Sequence, residues 1–187
     1  MARLVGISGS LRQKSFNTAL LNAAAELAPE GSEIAIHTIR GIPLYDGDVE
    51  AAQGIPEPVA KLKEAIVASD GLIIVTPEYN NSIPGVLKNA IDWLSRSDTD
   101  IARVFGGKPV ALMGASPGGF GTTLSQNAWL AVLRTLGTQL WTGRRMLVSR
   151  AHTLVDANGA LTDAKTREQV RAYVQGFAAF VEGRQAR

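Results

Sequence analysis

The residues best equipped for chemistry lie in three short segments. The first is "GISGSLRQKSFN" (6–17), which follows an apolar run and opens a helical pattern. Ser8, Ser10, Ser15 and Asn17 can donate hydrogen bonds there, and Arg12 adds a charge-assisted fork. Free backbone N–H groups and the dipole at a helix N-terminus favour an anion at such a place. The set suits a terminal phosphate. It is not a Walker A loop, because no lysine follows the glycines at the required spacing, and it is not G-x-G-x-x-G, because Arg12 stands where the third glycine belongs. No clear acid ends the second strand to hold a ribose. A plainer role stays open: Ser15 or Asn17 caps the helix and does nothing more.

The second segment is "TPEYNNSIPGVLKNAIDW" (76–93). Pro77 and Pro84 bracket a polar, aromatic loop and stiffen it. A stiff loop presents its N–H and C=O groups in fixed directions, which suits edge-on recognition of a flat heterocycle. Tyr79 could lie against such a ring, while Asn80 and Ser82 reach its polar atoms. The plainer alternative is a connection in which Pro84 starts a helix. The third segment, "ASPGGFGTT" (115–123), has glycine at 118, 119 and 121. Glycine allows close backbone approach to a ligand, and Ser116 could line its other edge. Phe120 could serve as a lid or an interface anchor. A flexible turn explains the glycines equally well.

Regular elements must hold these segments together. Strands are expected at 3–8, 33–39, 71–76 and 108–116, the first and last two of them buried, with a last one within 138–149 that could be in two pieces. Helical spacing is expected at 16–27, 56–69, 85–97, 124–137 and 162–183, and "RGIPLYDGDVE" (40–50) reads as a loop. Alternation of this kind specifies an α/β fold with a parallel sheet and helices on both faces. Five strands in 187 residues favour the flavodoxin-like three-layer sandwich with strand order 2-1-3-4-5. No linker or repeat divides the chain, so 1–187 is expected to be one domain. Ligands of such sheets bind beyond the carboxyl ends of the strands. All three segments lie at that end.

Composition removes other classes. Nineteen Lys and Arg nearly balance seventeen Asp and Glu, giving a net charge of +2 without a basic stripe, which argues against nucleic acid as a partner. The chain has no cysteine, which excludes disulfides and thiolate chemistry. Only two histidines, His37 and His152, are present, so no metal site is expected and neither is read as a catalyst. Trp93 and Trp129 are expected in the core or an interface, and Arg144, Arg145 and Arg150 as an anion-attracting cluster or a solvated edge. No apolar run is long enough for a membrane span and no signal peptide is evident, so a cytoplasmic location is expected.

Together "GSLRQKSFN" (9–17), "IPLYDGDVE" (42–50), "TPEYNNSIPGVLKNAIDWLSR" (76–96) and the glycines at 118–121 resemble the NADPH-dependent FMN reductase family, in its bacterial chromate and quinone reductase branch. The resemblance implies non-covalent FMN, with NADPH or NADH as co-substrate. Ser10, Arg12, Ser15 and Asn17 would hold the FMN phosphate. Pro77, Glu78, Tyr79 and Asn80 would contact the isoalloxazine, and Ser116 and Gly118 would complete the site. Hydride would pass through flavin N5, so no protein side chain is assigned as catalytic. Acceptors would be quinones, chromate, flavins or azo compounds. The family also implies a homodimer or homotetramer, with Tyr45 and Asp46 near the cofactor of the neighbouring chain. One departure stands out: Thr122, Thr123 and Leu124 replace a glycine pair and an arginine often found after the third loop. Two other readings remain, a flavodoxin-type electron carrier without enzymatic turnover and a nucleotide-binding module without redox chemistry. Flavodoxins tend to be strongly acidic, which this chain is not.

Overall fold

Each strand is a short apolar run whose alternate residues face opposite sides of one sheet. The structure, a computed structural model, describes residues 1–185. The strands are β1 (Arg3–Ser8), β2 (Glu33–His37), β3 (Gly71–Val75), β4 (Pro109–Ala115), β5 (Gln139–Leu140) and β6 (Met146–Val148). The helices are α1 (Phe16–Glu26), α2 (Gly47–Gln53), α3 (Glu57–Ala68), α4 (Gly85–Leu94), α5 (Asp98–Phe105), α6 (Thr123–Thr135) and α7 (Ala164–Gln185). All pairings are parallel, in the order β2-β1-β3-β4-β5, and β6 pairs with β4 beyond β5. The last strand is therefore in two pieces, interrupted by Trp141–Arg145.

Two apolar layers follow from the period of two. On one face, Ile73, Val75 and Met113 pack under α1 and α7, against Leu20, Leu21, Val170 and Phe177. On the other, Leu72, Ile74 and Val110 pack against Leu62, Leu87, Trp93, Phe105 and Trp129 from α3, α4, α5 and α6. The sheet is thus covered on both sides.

Two helices lie outside the sequence expectations. The segment 40–50, expected as a loop, turns helical at Gly47, with Asp46 as the N-cap. None of the α2 residues is buried, so it carries no apolar stripe to reveal it. The helix expected over 85–97 stops at Leu94, and a separate short helix, α5, places Val104 and Phe105 in the core.

Candidate functional site

The first loop begins by bonding to the neighbouring strand. Gly9 N–H donates to Val75 O at 2.8 Å. A Cβ on Gly9 would sit 2.5 Å from Leu87 Cδ2 and 2.9 Å from Pro77 Cδ, so only glycine lets the first loop lie against the second. Ser8, buried at the strand end, pairs its hydroxyl with that of Thr18 at 2.9 Å. Ser15 is the N-cap of α1, its Oγ accepting N–H from Asn17 and Thr18. The capping role weighed for it is real, although its hydroxyl proton is still free to be donated. Arg12 is exposed and stands over the Phe16 ring, 4.7 Å from its centroid.

Asn17 does something the sequence did not suggest. Its Nδ2 donates to Ala115 O at 2.8 Å and its Oδ1 accepts Ala115 N–H at 2.9 Å. The buried amide clamps the start of α1 to the end of β4. One amide N–H remains for a ligand, but positioning is the contact present.

Thr76 anchors the second loop. Its Oγ1 donates to Pro77 O at 2.8 Å, accepts Trp129 Nε1–H at 3.0 Å and pairs with Ser125 Oγ at 2.9 Å. Glu78 Oε2 accepts N–H from Leu124 at 2.8 Å and Ser125 at 3.0 Å, capping α6 from another loop. Tyr79 and Ser82 exchange both backbone hydrogen bonds, with Asn80 and Asn81 between them at φ 50° and 60°. Left-handed backbone at both central positions is the tight turn that paired asparagines tolerate. The "NN" dipeptide was the available signal for it. Asn80 therefore lies at an exposed turn.

The third loop is closed by Ser116, whose Oγ donates to Gly121 O at 2.7 Å. Its N–H donates to Val148 O, and Gly118 O accepts Arg150 N–H, both at 2.9 Å. Thr122, at the position of the family departure, is buried and accepts Gln126 Nε2–H at 3.0 Å. Phe120 is 88% exposed.

One cavity of about 320 Å³ opens among the three loops. That is within the range of small-molecule sites, roughly 300–1,000 Å³. Eight of the ten expected residues line it: Ser10, Arg12, Ser15, Asn17, Pro77, Glu78, Tyr79 and Ser116. Asn80 and Gly118 are not among the lining residues. Phe16, Ala115 and Pro117 are, without having been singled out. Phe16 opens α1, and its apolar position at the start of a helix gave no sign of a place in the cavity. The cavity brings serine hydroxyls and the Arg12 guanidinium together with the rings of Phe16, Pro77 and Tyr79, a donor set and an apolar surface that fit a phosphate joined to a flat ring system, as in FMN.

The segment around α2 packs on α4. Tyr45 N–H donates to Asn89 Oδ1 at 2.9 Å, and Tyr45 OH donates to Glu50 Oε2 at 3.0 Å. The carboxylate that accepts this proton raises the phenol above its ordinary pKa. Asp46 Oδ1 accepts Asp48 N–H at 2.9 Å. Trp93 Nε1–H donates to Pro43 O at 2.9 Å and its ring meets Tyr45 edge-on, 5.0 Å between centroids. Trp93 and Trp129 are fully buried, so neither is a surface stacking platform. His152 is exposed, and His37 ends an edge strand. Among the described residues no group of three or more His, Cys, Asp or Glu could hold a metal ion. No described helix is long and apolar enough to cross a membrane.

The family model described as NADPH-dependent FMN reductase matches residues 2–153. The chain belongs to the NADPH-dependent FMN reductase family. It is accordingly an NAD(P)H-dependent flavin reductase that uses FMN. It is 43% identical over 179 residues to an NAD(P)H-dependent FMN reductase of Pseudomonas aeruginosa, covering 96% of this chain and 95% of that one. It is 39% identical to a 2-hydroxy-1,4-benzoquinone reductase of a Burkholderia species, covering 97% of each. Among solved structures, FerB, an NAD(P)H:(acceptor) oxidoreductase of Paracoccus denitrificans, superposes with a TM-score of 0.86 at 33% identity, covering 98% of each chain.

Proposed function

We propose that the cavity holds FMN non-covalently and that the protein reduces quinones with NAD(P)H, other acceptors being chromate, free flavins and azo compounds. The convergence of the three loops on one cavity carries the reading. Bound FMN supplies the centre that accepts and returns hydride equivalents. The chain binds and orients it. Ser10, Arg12 and Ser15 hold the phosphate, with α1 beneath them. Asn17 holds Ala115, which keeps the first and third loops at a fixed separation. Pro77, Glu78 and Tyr79 lie along the ring, Ser116 meets its other edge, Gly118 supports the third loop from behind through Arg150, and Asn80 shapes the turn beside it. Quinone reduction is favoured because a close relative is named for a benzoquinone.

Self-association belongs to the same reading. Leu44, Val86, Phe120 and Leu124 are exposed apolar side chains, between 37% and 88% accessible. A second copy of the chain that covered these side chains would bring Tyr45 and Asp46 towards the neighbouring site.

The test is an absorption spectrum of the purified protein, followed by anaerobic addition of NADPH and then NADH. Flavin bands that bleach rapidly are expected. Bands that persist would leave an electron carrier. A protein that remains colourless after FMN is added would overturn the assignment of the cavity.

A further inference from the structure

Arg150 stands beside the third loop in a conformation arginine rarely takes. Its backbone is left-handed, φ 50° and ψ 36°, uncommon for any residue except glycine and asparagine. The surroundings fix it there. Arg150 N–H donates to Gly118 O at 2.9 Å, and Arg150 O accepts from both Thr153 N–H and Thr153 Oγ1 at 2.9 Å. The next residue, Ala151, donates its N–H to Ser116 O at 3.0 Å. Residues 148–151 thus run alongside 116–118, and Ser116 and Pro117 are cavity wall.

The side chain is treated differently from the backbone. It is exposed, and no ion pair among the described residues includes it. Other arginines around the site are engaged. Arg12 covers Phe16, Arg40 donates to Leu11 O, and Arg96 donates to Glu50. A strained, rigidly held backbone that carries an unpaired guanidinium and is hydrogen-bonded to a loop lining the cavity is the pattern in which strain marks a function. Glycine would satisfy the backbone more easily, and arginine adds only its charge and its fork of donors.

We propose that Arg150 recognises the 2′-phosphate of NADPH and so sets the preference for NADPH over NADH. The proposal rests on the reading of the cavity as the FMN site. With FMN in the cavity and its phosphate at the first loop, the pyridine nucleotide enters from the solvent side. Its extra phosphate is a dianion that must find an exposed cation outside the flavin site. An arginine fork matches phosphate geometry in two parallel hydrogen bonds. Arg150 is tied to the third loop and Arg12 belongs to the first, so the two phosphates need not share one cation.

The test uses FMN-loaded wild type, Arg150→Gly and Arg150→Lys. Glycine suits φ 50°, so the first variant removes the guanidinium without disturbing the turn. Binding of NADP⁺ and NAD⁺ is measured by calorimetry, alongside KM for NADPH and NADH. Wild type should favour the phosphorylated nucleotide. Arg150→Gly should weaken NADP⁺ by about 10- to 100-fold, the scale of a lost charge-assisted pair, with NAD⁺ changed less than about twofold. Arg150→Lys should fall between. Equal weakening of both nucleotides, no change in either, or a wild type that does not discriminate would overturn the role. Bound FMN per chain separates the two levels: normal flavin with an unchanged nucleotide ratio rejects Arg150 alone, whereas absent flavin in wild type rejects the cavity assignment and with it this proposal.

Discussion

Glu78 and Leu124 are joined across two loops: the carboxylate Oε2 accepts the Leu124 N–H at 2.8 Å and that of Ser125 at 3.0 Å. A side chain in the flavin-reductase signature thereby caps a helix 46 residues further on. These are two of the N–H groups that a helix start leaves without partners. Negative charge is favourable at that end. Glu78→Ala is expected to lose about 1–2 kcal/mol of stability and to loosen FMN, since the second and third loops are no longer tied. Glu78→Gln keeps an acceptor oxygen and should retain most of both. Urea denaturation and FMN titration of the apoprotein measure the two effects. If alanine binds FMN as tightly as wild type, the link does not position the site.

Asn17 forms the corresponding tie between the first and third loops. Its buried amide makes two hydrogen bonds to the Ala115 backbone, and each is worth about 1 kcal/mol net. Asn17→Ala leaves a buried N–H and C=O without partners, so a stability loss of about 2–3 kcal/mol is expected. Asn17→Asp keeps the bond from Ala115 N–H but sets a carboxylate against Ala115 O. It should be at least as damaging at neutral pH and partly recover in acid, where the carboxyl can donate. Thermal denaturation of the three proteins at two pH values decides this. Wild-type stability in the aspartate variant at neutral pH would contradict the geometry.

Arg12 offers the opposite case, a residue whose removal should cost binding and not folding. It is exposed, and its one ring contact is with Phe16. Arg12→Ala should keep the melting temperature of the apoprotein within a few degrees and weaken FMN by about tenfold or more. Equilibrium dialysis with FMN and with riboflavin, which lacks the phosphate, gives the diagnostic. The loss should be confined to FMN. Unchanged FMN content would remove the phosphate role from this arginine.

How much of this could be read from the chain depends on whether a feature is local. The order β2-β1-β3-β4-β5 was legible because buried parallel strands are continuous apolar runs, and "GLIIV" and "PVALMGA" are both buried throughout. The exposed helix α2 was not, because the contacts that hold it are Asp46 at its cap and the Glu50 links to Tyr45 and Arg96, none of which leaves an apolar period. The three loops were legible by composition and by their place at the strand ends. The direction of each side chain was not. Asn17 and Glu78 are polar residues in ligand-type loops, and only the packed structure shows that each reaches for backbone far along the chain.

A half-buried ion pair away from the cavity carries the last prediction. Lys63 is nearly inaccessible, with a side chain 3% exposed, and its Nζ donates to Asp100 Oδ2 at 2.9 Å. Arg103 donates to the same carboxylate from one turn later. These two cations, Arg103 first, hold the Asp100 carboxyl down from 3.8 to about 2. A carboxylate with a folded pKa below its unfolded one stabilises the protein fully above the unfolded value. That contribution fades as pH falls from about 4 towards about 2. Asp100→Asn should therefore be less stable than wild type at pH 6, by about 2 kcal/mol, because a buried lysine loses its charged partner. The gap should narrow steadily in acid, as wild type loses what the variant never had. Urea denaturation of both proteins between pH 6 and pH 2.5 measures the gap. A gap that stays constant across that range would mean that the α3–α5 pair does not depend on the ionised Asp100.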